Sequence, residues 1–388
     1  MTLLRRIARR LGVGKPRLAD SAAKIDFADP AISRNPFPHY ARLRAEATVC
    51  HLAHHDAWIV LGYDEVKSAL AQPGLFSNEH CSAVDAVLLA ADPPAHAAVR
   101  HRVARLFNAT TLADLGAAAA RWAPTLIARE MDAAAYAKTL SRKLAARLIG
   151  FDDATLAEMA SALSASTDRP PSIEYIVATI DRLAPRASLI ATLTDDHELP
   201  LNDGQARSLV RLLWIAATLT TERAIAQSIL RLVQDPGLQT AIAADRTLLP
   251  PFIDEILRLH PPELMVLRVA QHATSLGGAA ISRGAHVYLC LAAANRDPAR
   301  FEVPDTLWLD RPTMRHFAFG GGIHHCVGAP LARRIVAIAV GALLDAGKLV
   351  PREPLDQVAL FTSITVCAPV RLAIAVGECA GALDGAGS

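Results

Sequence analysis

The spacing of apolar residues along most of this chain follows the period of an α-helix. Apolar side chains recur every three or four positions, which predicts helices at about 36–45, 62–70, 94–107, 112–163, 173–183, 205–233, 248–259 and 329–344. The helix at 205–233 ends at the turn Asp235-Pro236-Gly237, whose residues do not continue a helix. Prolines and polar residues interrupt 164–204 on both sides of its short helix.

A smaller part of the chain has the composition and spacing of short β-strands. Residues 48–52 and 58–61 predict a hairpin, and glycine turns separate apolar strands within 265–291. Further strands are expected within 347–376. No alternation of strand, helix and strand occurs, so the pattern does not predict a parallel sheet. The predicted fold class is mainly α with a small β-rich part.

The composition fits a large buried core. The chain has 388 residues, 52% of them hydrophobic, and a formal net charge of +2, which gives no basic surface of the kind that binds nucleic acid. Neither repeats nor a linker divide it. We therefore expect one domain at 30–376, a loosely structured N-terminus at 1–29 and a disordered tail at 377–388.

Cysteine usage and the N-terminus indicate the compartment. The six cysteines form no CxxC pair and are expected to be reduced thiols of a cytoplasmic protein. The basic N-terminus has no apolar run long enough for a signal peptide. The longest clean apolar run, at 335–344, is too short to cross a bilayer, so we predict no membrane binding.

One stretch near the C-terminus combines unusual chemistry, the sequence FGGGIHHCVG at 319–328. A helix follows at once, so Cys326 lies where a glycine loop meets a helix N-terminus. The helix dipole there is expected to lower the pKa of the thiol, and the glycines allow the loop to lie close to a flat partner. A thiolate in such a loop could be a nucleophile, an iron ligand or an inert core cysteine.

The order of residues in this loop decides between these roles. It fits F-G-x-G-x-H-x-C-x-G and resembles the haem-binding loop of the soluble, bacterial-type cytochrome P-450 (haem-thiolate monooxygenase) family, through Phe319, Gly320, Gly322, His324, Cys326 and Gly328. The resemblance, which extends over about 30–376, implies one cytochrome P-450 domain. A long distal helix and a proximal cysteine loop would enclose haem b, with Cys326 as the axial ligand of the iron. Thiolate ligation favours O–O cleavage.

Two further motifs match the same family. Glu255 and Arg258 fill E-x-x-R, a spacing that lets the pair meet on one helix face, and Arg311 matches the arginine that joins them to support the core. The two propionates of a haem need cations. The positions that match the family's propionate partners are His96, Arg100, Arg268 and His324.

The expected distal helix departs from the family pattern A-G-x-[DE]-T-T. The chain reads AATLTT at 216–221, so Thr220 is the expected catalytic threonine, whereas Leu219 replaces the acid and Ala217 the glycine. Leucine cannot relay a proton. Either solvent or substrate supplies protons for ordinary monooxygenation, or the chemistry is altered to oxidative coupling, desaturation, nitration or peroxide use. Glu222 could be a substitute carboxylate or an exposed helix residue.

The resemblance also implies the substrate pocket, whose residues are mostly small and apolar. By match of position the pocket is lined by Val87, Leu88, Leu89, Ala216, Ala217, Thr220, Leu264, Met265, Val266, Phe361, Thr362 and Ser363. This lining suits a mostly apolar substrate of the natural-product type. The expected lid at 164–204 is short, which suits a large or carrier-tethered substrate.

The family needs two electrons delivered one at a time, and no flavin or iron–sulfur domain fits within this chain. We therefore expect an external ferredoxin and its reductase, unless peroxide is used. A basic surface for a ferredoxin would consist of Arg100, Arg102, Arg105, Arg333 and Arg334. The resulting hypothesis is a monooxygenase of secondary metabolism. The alternative from another class is a haem-binding protein without turnover.

Overall fold

The structure, a computed structural model, describes residues 24–78, 87–164, 173–195, 201–312 and 315–377. Most of the N-terminus that we expected to be loosely structured, and all but one residue of the expected tail, therefore lie outside the described residues. Cys81 and Cys379 lie outside them as well. Among the described cysteines, Cys50, Cys290, Cys326 and Cys367 are free thiols.

Helices form most of the described structure. In chain order they are α1 (Pro30–Ser33), α2 (Phe37–Glu46), α3 (Tyr63–Leu70), α4 (Ala95–Leu106), α5 (Ala109–Thr125), α6 (Ala133–Ile149), α7 (Asp153–Ser164), α8 (Ile173–Leu183), α9 (Ser188–Thr194), α10 (Asp203–Gln234), α11 (Pro236–Ala244), α12 (Leu249–Leu259), α13 (Leu291–Ala294) and α14 (Ala329–Ala346). All the helices predicted from apolar spacing are present, although the long pattern at 112–163 is divided into parts of three helices.

The strands are short and form small sheets. They are β1 (Val49–Leu52), β2 (Ala57–Val60), β3 (Phe76–Ser77), β4 (Glu130–Asp132), β5 (Val266–Ala270), β6 (Thr274–Leu276), β7 (Ala279–Ile281), β8 (His286–Leu289), β9 (Leu349–Pro351), β10 (Leu360–Thr362), β11 (Cys367–Pro369) and β12 (Ala373–Val376). The main sheet has the order β1-β2-β8-β5-β3, and the predicted hairpin is its β1-β2 edge.

Two pairings in these sheets differ from the sequence prediction. β2 and β8 are parallel, although no strand–helix–strand unit joins them. β4, which lies inside a region predicted to be helical, pairs with β12 near the C-terminus. Both pairings join segments that are far apart in the chain, so local residue patterns carry no signal for them.

The long helix α10 passes through the core. Its N-terminus has a capping box in which Asn202 and Gln205 each bind the other's backbone N–H. Leu209 and Trp214 of its first half pack in one apolar cluster, and Ile225 and Ile229 of its second half pack in another with α14. Burial on nearly all sides holds this helix against the helix that follows the cysteine loop.

Candidate functional site

The cysteine loop is a tight hairpin that only glycine permits at its tip. The backbone N–H of Cys326 donates to the carbonyl of Phe319 at 2.9 Å and closes the hairpin. Gly320 and Gly322 have φ of 66° and 62°. A Cβ on Gly322 would lie 1.9 Å from the carbonyl oxygen of Leu70, so the loop packs directly on the end of α3.

Cys326 is exposed at the point where the loop enters α14. Burial among the surrounding atoms nevertheless raises the pKa of its thiol, and the Gly328 N–H, Arg100 and Arg333 only partly oppose that effect. A thiol that solvent can reach and that is still desolvated lies in a recess. The expectation that the helix N-terminus would lower this pKa is therefore wrong for the chain alone, because desolvation is the larger effect.

Two histidines meet beside this recess. The rings of His96, on α4, and His324, in the cysteine loop, have centroids 4.6 Å apart and an interplanar angle of 72°. The Nε2 atoms of both rings are buried without a hydrogen-bond partner among the described residues. The carboxylate of Asp92 comes no closer to Nε2 of His324 than 3.9 Å. Buried ring nitrogens without partners favour a polar ligand at this position.

Two arginines add positive charge to the same place. Burial, together with Arg268, His96 and Arg100, lowers the pKa of His324 to about 4, although Asp92 opposes the shift. Arg268 is buried on β5 and donates to Oδ1 of Asn78 at 3.2 Å. The four residues predicted to bind propionates therefore lie together. Their charge and unsatisfied nitrogens fit a ligand with carboxylates, and the adjacent thiol and glycine loop fit a haem.

Glu255 and Arg258 of α12 form a bidentate pair without solvent exposure. Nε of Arg258 lies 2.5 Å from Oε1 of Glu255, and Nη2 lies 2.9 Å from Oε2. Nε of Arg311 joins Oε1 at 3.0 Å, as the sequence predicted.

This pair also determines the path of the chain into the cysteine loop. Nη1 of Arg258 donates to the carbonyl of Asn295 at 3.0 Å, and Oδ1 of Asn295 accepts from the N–H of Phe317 at 2.6 Å. The residues before Phe319 are thus connected to α12 by two successive hydrogen bonds. These contacts fit the structural role that the sequence predicts for the pair.

Thr220 and Ala216 lie one turn apart on α10 and partly open to solvent. Oγ1 of Thr220 donates to the carbonyl of Ala216 at 2.6 Å. Ala217 and Leu219 are half-buried, whereas Thr218 is buried and donates to the carbonyl of Trp214. The helix is continuous through this turn, and an aliphatic side chain occupies the position of the expected acid.

Glu222 faces a different neighbour. It is half-buried beside Arg142 and Lys138 of α6. Burial raises the pKa of its carboxyl, and the two cations and Arg223 oppose the shift. Residues two positions apart in an α-helix are separated by about 200° around the helix axis, so the side chains of Thr220 and Glu222 point to different sides of α10. Glu222 is therefore neither an exposed residue nor a carboxylate beside Thr220.

The predicted pocket residues divide into two groups by exposure. Leu89, Ala216 and Phe361 are exposed, and the partly exposed residues are Ala217, Thr220, Val266, Thr362 and Ser363. In contrast, no more than 8% of the surface is accessible in Val87, Leu88, Leu264 and Met265. Leu264 and Met265 pack in an apolar cluster with residues of β1 and β2, so they belong to the core rather than to an open pocket. Val87 and Leu88 pack against α4 and α10 in the same way.

The predicted basic surface is also altered by the structure. Arg102 is buried, and its Nη2 donates to the carbonyls of Thr192 and Leu193 at the end of α9, at 2.6 and 2.7 Å. It cannot contact a docking partner. Arg334 is exposed but lies against Gly116, where an added Cβ would be 2.6 Å from its Nε.

Sequence reasoning gave no role to Asp254, although it contacts the cysteine-loop region. Its carboxylate accepts from Nε of Arg333 at 2.6 Å and lies 3.7 Å from Nε2 of His316. Its position directly before Glu255 was the only signal that could have suggested a role for it.

Ion pairs connect α8, which lies within the expected lid at 164–204, to two neighbouring helices. Glu158 of α7 accepts from Arg182 of α8 and, at 2.5 Å, from Arg186. Nη1 of Arg211 on α10 lies 2.8 Å from both carboxylate oxygens of Asp181 on α8. Within the expected lid, α8 is thus tied to α7 and to α10, while 165–172 and 196–200 lie outside the described residues.

Comparisons with known proteins agree with this geometry. The sequence profile described as cytochrome P450 matches residues 177–358. Cytochrome P-450 109 of Bacillus spizizenii is 30% identical over 353 residues, which cover 83% of this chain and 87% of that protein. The chain belongs to the cytochrome P-450 family, and it is a haem-iron oxidoreductase.

Solved structures share the fold. CYP109E1 from Bacillus megaterium, in complex with testosterone, has a TM-score of 0.80 and 25% identity, covering 90% of this chain and 99% of that one. The myxobacterial CYP267B1, in complex with myristic acid, has a TM-score of 0.79 and 27% identity, covering 91% and 99%. In the described part of this chain, no helix combines the length and the apolarity that a bilayer crossing requires.

Proposed function

We propose that this chain is a haem-thiolate monooxygenase that uses O2 and two electrons to oxidise a mostly apolar small molecule of the natural-product type in the cytoplasm. The observation that carries the proposal is the exposed Cys326 in its glycine loop, next to two buried histidines whose Nε2 atoms have no partner among the described residues.

Residues on three segments would hold the haem. Cys326 would be the thiolate ligand of the iron, and the loop that carries it would also supply Phe319, Gly320 and Gly328. The propionates would be bound by His96 and Arg100 from α4, Arg268 from β5 and His324 from the loop. Bound in this way, the haem supplies the activation of O2, which thiolate ligation favours.

Thr220 would handle protons on the distal side. Its one hydroxyl proton is donated to the carbonyl of Ala216, which holds Oγ1 in place and leaves its lone pairs to accept a hydrogen bond from a water that carries the proton. Leu219 supplies no proton. The protons would therefore come from water or from the substrate through Thr220, because Glu222 faces α6.

The apolar exposed residues support a mostly apolar substrate. Leu89 and Phe361 are large hydrophobic side chains that remain exposed, and Ala216 leaves room beside Thr220. The similar proteins with bound testosterone or myristic acid took molecules of this character. We extend that chemical class, and no particular molecule, to this chain.

A ferredoxin would deliver the electrons. Of the predicted docking arginines, Arg105 is exposed on α4, the helix that bears Arg100, and Arg334 is exposed on α14, which follows the cysteine loop; His101 is exposed one turn before Arg105. An acidic partner would be attracted to them, and salt would screen that attraction. The rate of reduction by a surrogate ferredoxin is expected to fall as ionic strength rises. A rate independent of salt would exclude electrostatic docking.

One pair of measurements tests the function. The reduced, carbon-monoxide-bound spectrum is expected to show thiolate ligation in the wild type and to lose it in Cys326→Ser. Reconstitution with a surrogate ferredoxin, a reductase and apolar test substrates should then give an oxygenated product. Thiolate ligation without product from any such substrate would favour a haem-binding protein without turnover.

Leu219 favours a second candidate, altered chemistry on the same haem. The chemical identity of the product distinguishes this altered chemistry from ordinary monooxygenation. Coupled, desaturated or nitrated products, or turnover supported by peroxide without a ferredoxin, would replace the monooxygenase assignment.

A further inference from the structure

Asp254 stands beside Glu255 on α12, but its carboxylate contacts the residues around the cysteine loop instead of the buried pair. It accepts a hydrogen bond from Nε of Arg333 at 2.6 Å, and Nε2 of His316 lies 3.7 Å away. Arg333 is on α14, after the loop, and His316 comes shortly before it. A single carboxylate therefore connects α12 to both sides of the cysteine loop.

Arg333 in turn contacts the residue that closes the loop. Its Cζ lies 4.5 Å from the ring centroid of Phe319, a cation–π distance. The carbonyl of Phe319 accepts from the N–H of Cys326 at 2.9 Å. Two contacts thus lead from the Arg333 guanidinium to the backbone of Cys326.

His316 is the second neighbour of the Asp254 carboxylate, although the 3.7 Å from its Nε2 is too long for a direct hydrogen bond. Its Nδ1 accepts from the N–H of Ala318 at 3.2 Å, so the ring proton is on Nε2, which faces the carboxylate. The side chain of His316 is only 1% exposed. Burial raises the pKa of Asp254, but the nearby His316 ring and the hydrogen bond and charge of Arg333 outweigh it and keep the pKa below its usual value. The carboxylate is therefore charged at neutral pH.

We propose that Asp254 is a positioning residue for the thiolate site, which holds Arg333 over Phe319 and offsets the positive field of Arg333 at Cys326. The inference rests on the proposed function, since it requires haem iron at Cys326. A nearby negative charge opposes the addition of an electron at the iron, and a nearby positive charge assists it. Asp254 and Arg333 therefore act on the reduction potential with opposite sign.

The test compares the reduction potentials of haem-loaded variants. Asp254→Asn removes the negative charge and is expected to shift the potential in the positive direction. Arg333→Gln removes the positive charge and is expected to shift it in the negative direction. A purely structural role predicts shifts of the same sign, because either variant would loosen the loop and admit water. Asp254→Glu keeps the charge and should restore a potential close to that of the wild type.

The matched control is Asp345→Asn near the other end of α14. Asp345 pairs with Arg246 at 2.5 Å, and its side chain is 72% exposed, so the loss of its charge should leave the potential unchanged. If Asp254→Asn does not fold, Arg333→Gln must still shift the potential in the negative direction. Shifts of equal sign, or none, would overturn the proposal.

The spectrum with carbon monoxide separates this inference from the proposed function. A wild type without thiolate ligation would refute the function itself. A wild type with thiolate ligation, together with variants whose potentials do not move, would refute only the role of Asp254.

Discussion

Glu255 and Arg258 form a bidentate ion pair in which neither side chain has any solvent exposure. Glu255 also accepts from Arg311 and from the N–H of Trp308. Its single negative charge thus compensates two buried guanidinium groups. Because charges so far from water are stable only when paired, the carboxylate is the residue on which this network depends.

The variant Glu255→Gln is expected to destabilise the fold strongly. It keeps the shape of the side chain but leaves Arg258 and Arg311 buried without a counter-charge. Breaking a buried pair in this way costs about 3–5 kcal/mol. Thermal unfolding of the haem-loaded protein and the fraction of purified protein that retains haem would measure the loss.

An exposed pair provides the control for that experiment. Glu130 and Arg352 are 2.7 Å apart, but their side chains are 69% and 49% exposed. Exposed pairs contribute little to stability, so Glu130→Gln should unfold at almost the wild-type temperature. An equal loss in both variants would contradict a special role for the buried network.

Arg102 illustrates what could not be predicted from the sequence. His96 and Arg100 were predicted to bind propionates because their positions match the family's propionate partners. Arg102 binds two backbone carbonyls about 90 positions later in the chain. Carbonyls carry no residue-type signal, so nothing in the sequence distinguished this buried arginine from one in a docking surface.

Arg102→Met is therefore expected to lower stability and not ferredoxin docking. The methionine keeps the apolar stem but leaves the last carbonyls of α9 without their charged donor. Hydrogen bonds to charged groups contribute about 1.5–3 kcal/mol each, which sets the scale of the loss. Urea unfolding should show an earlier midpoint, while the rate of reduction stays unchanged.

For the exposed Arg105 on the same helix, we expect a substitution to affect ferredoxin docking and not stability. Arg105→Met should keep the unfolding midpoint and reduce the rate of electron transfer at low salt. If Arg102→Met slowed reduction more than Arg105→Met did, the assignment of the two arginines would be wrong.

The lowered pKa of His260 predicts how the free energy of unfolding depends on pH. Burial and the charges of Arg296, Arg231 and Arg258 lower its pKa from 6.5 to about 3. In the unfolded chain the same histidine binds a proton near pH 6.5, so acidification favours unfolding between about pH 6.5 and 3. Stability should be greatest above pH 6.5 and fall by up to about 1.4 kcal/mol per pH unit below it. Because His260 keeps some exposure, solvent screening should make the slope smaller.

The variant His260→Gln removes this titration. Its unfolding free energy should depend less on pH than that of the wild type between pH 6.5 and the acid limit of folding. His272→Gln, at an exposed histidine, is the control and should leave the slope unchanged. Identical slopes in all three proteins would show that the acid sensitivity has another source.

The candidate site was predictable where a motif defines both residue type and spacing, as in the cysteine loop and the ExxR pair. The pocket was less predictable, because exposure depends on packing between distant segments. Leu264 and Met265 are apolar residues of suitable size, yet Leu264 is hydrogen-bonded to Thr365 and both are covered by the cluster under β1 and β2. Glu222 was misplaced for a similar reason, since its surroundings are set by α6.

Ala216 tests where the substrate lies. Its side chain is exposed one turn before Thr220, so Ala216→Leu would fill space beside the threonine without disturbing the core. Larger apolar ligands are expected to bind at least several-fold more weakly, as measured by the change in spin state on titration. Ala243→Leu on α11, also exposed, should not affect binding. Unchanged binding in Ala216→Leu would exclude this face of α10 from the pocket.

Leu219 gives the most direct test of proton delivery. If water alone supplies protons to Thr220, Leu219→Asp adds an acid next to it and should raise the share of consumed electrons that appears in product. A positioned acid contributes on the order of 10²-fold or more to a proton-transfer step, so a several-fold gain is expected. In Leu219→Asn the new side chain has nearly the shape of aspartate but no acidic proton. Glu222→Gln removes the carboxylate that faces α6. Leu219→Asn and Glu222→Gln should leave the share of electrons that appears in product unchanged, while Thr220→Ala should lower that share. Equal gains for Leu219→Asp and Leu219→Asn would show that polarity, and not a proton, is what position 219 lacks.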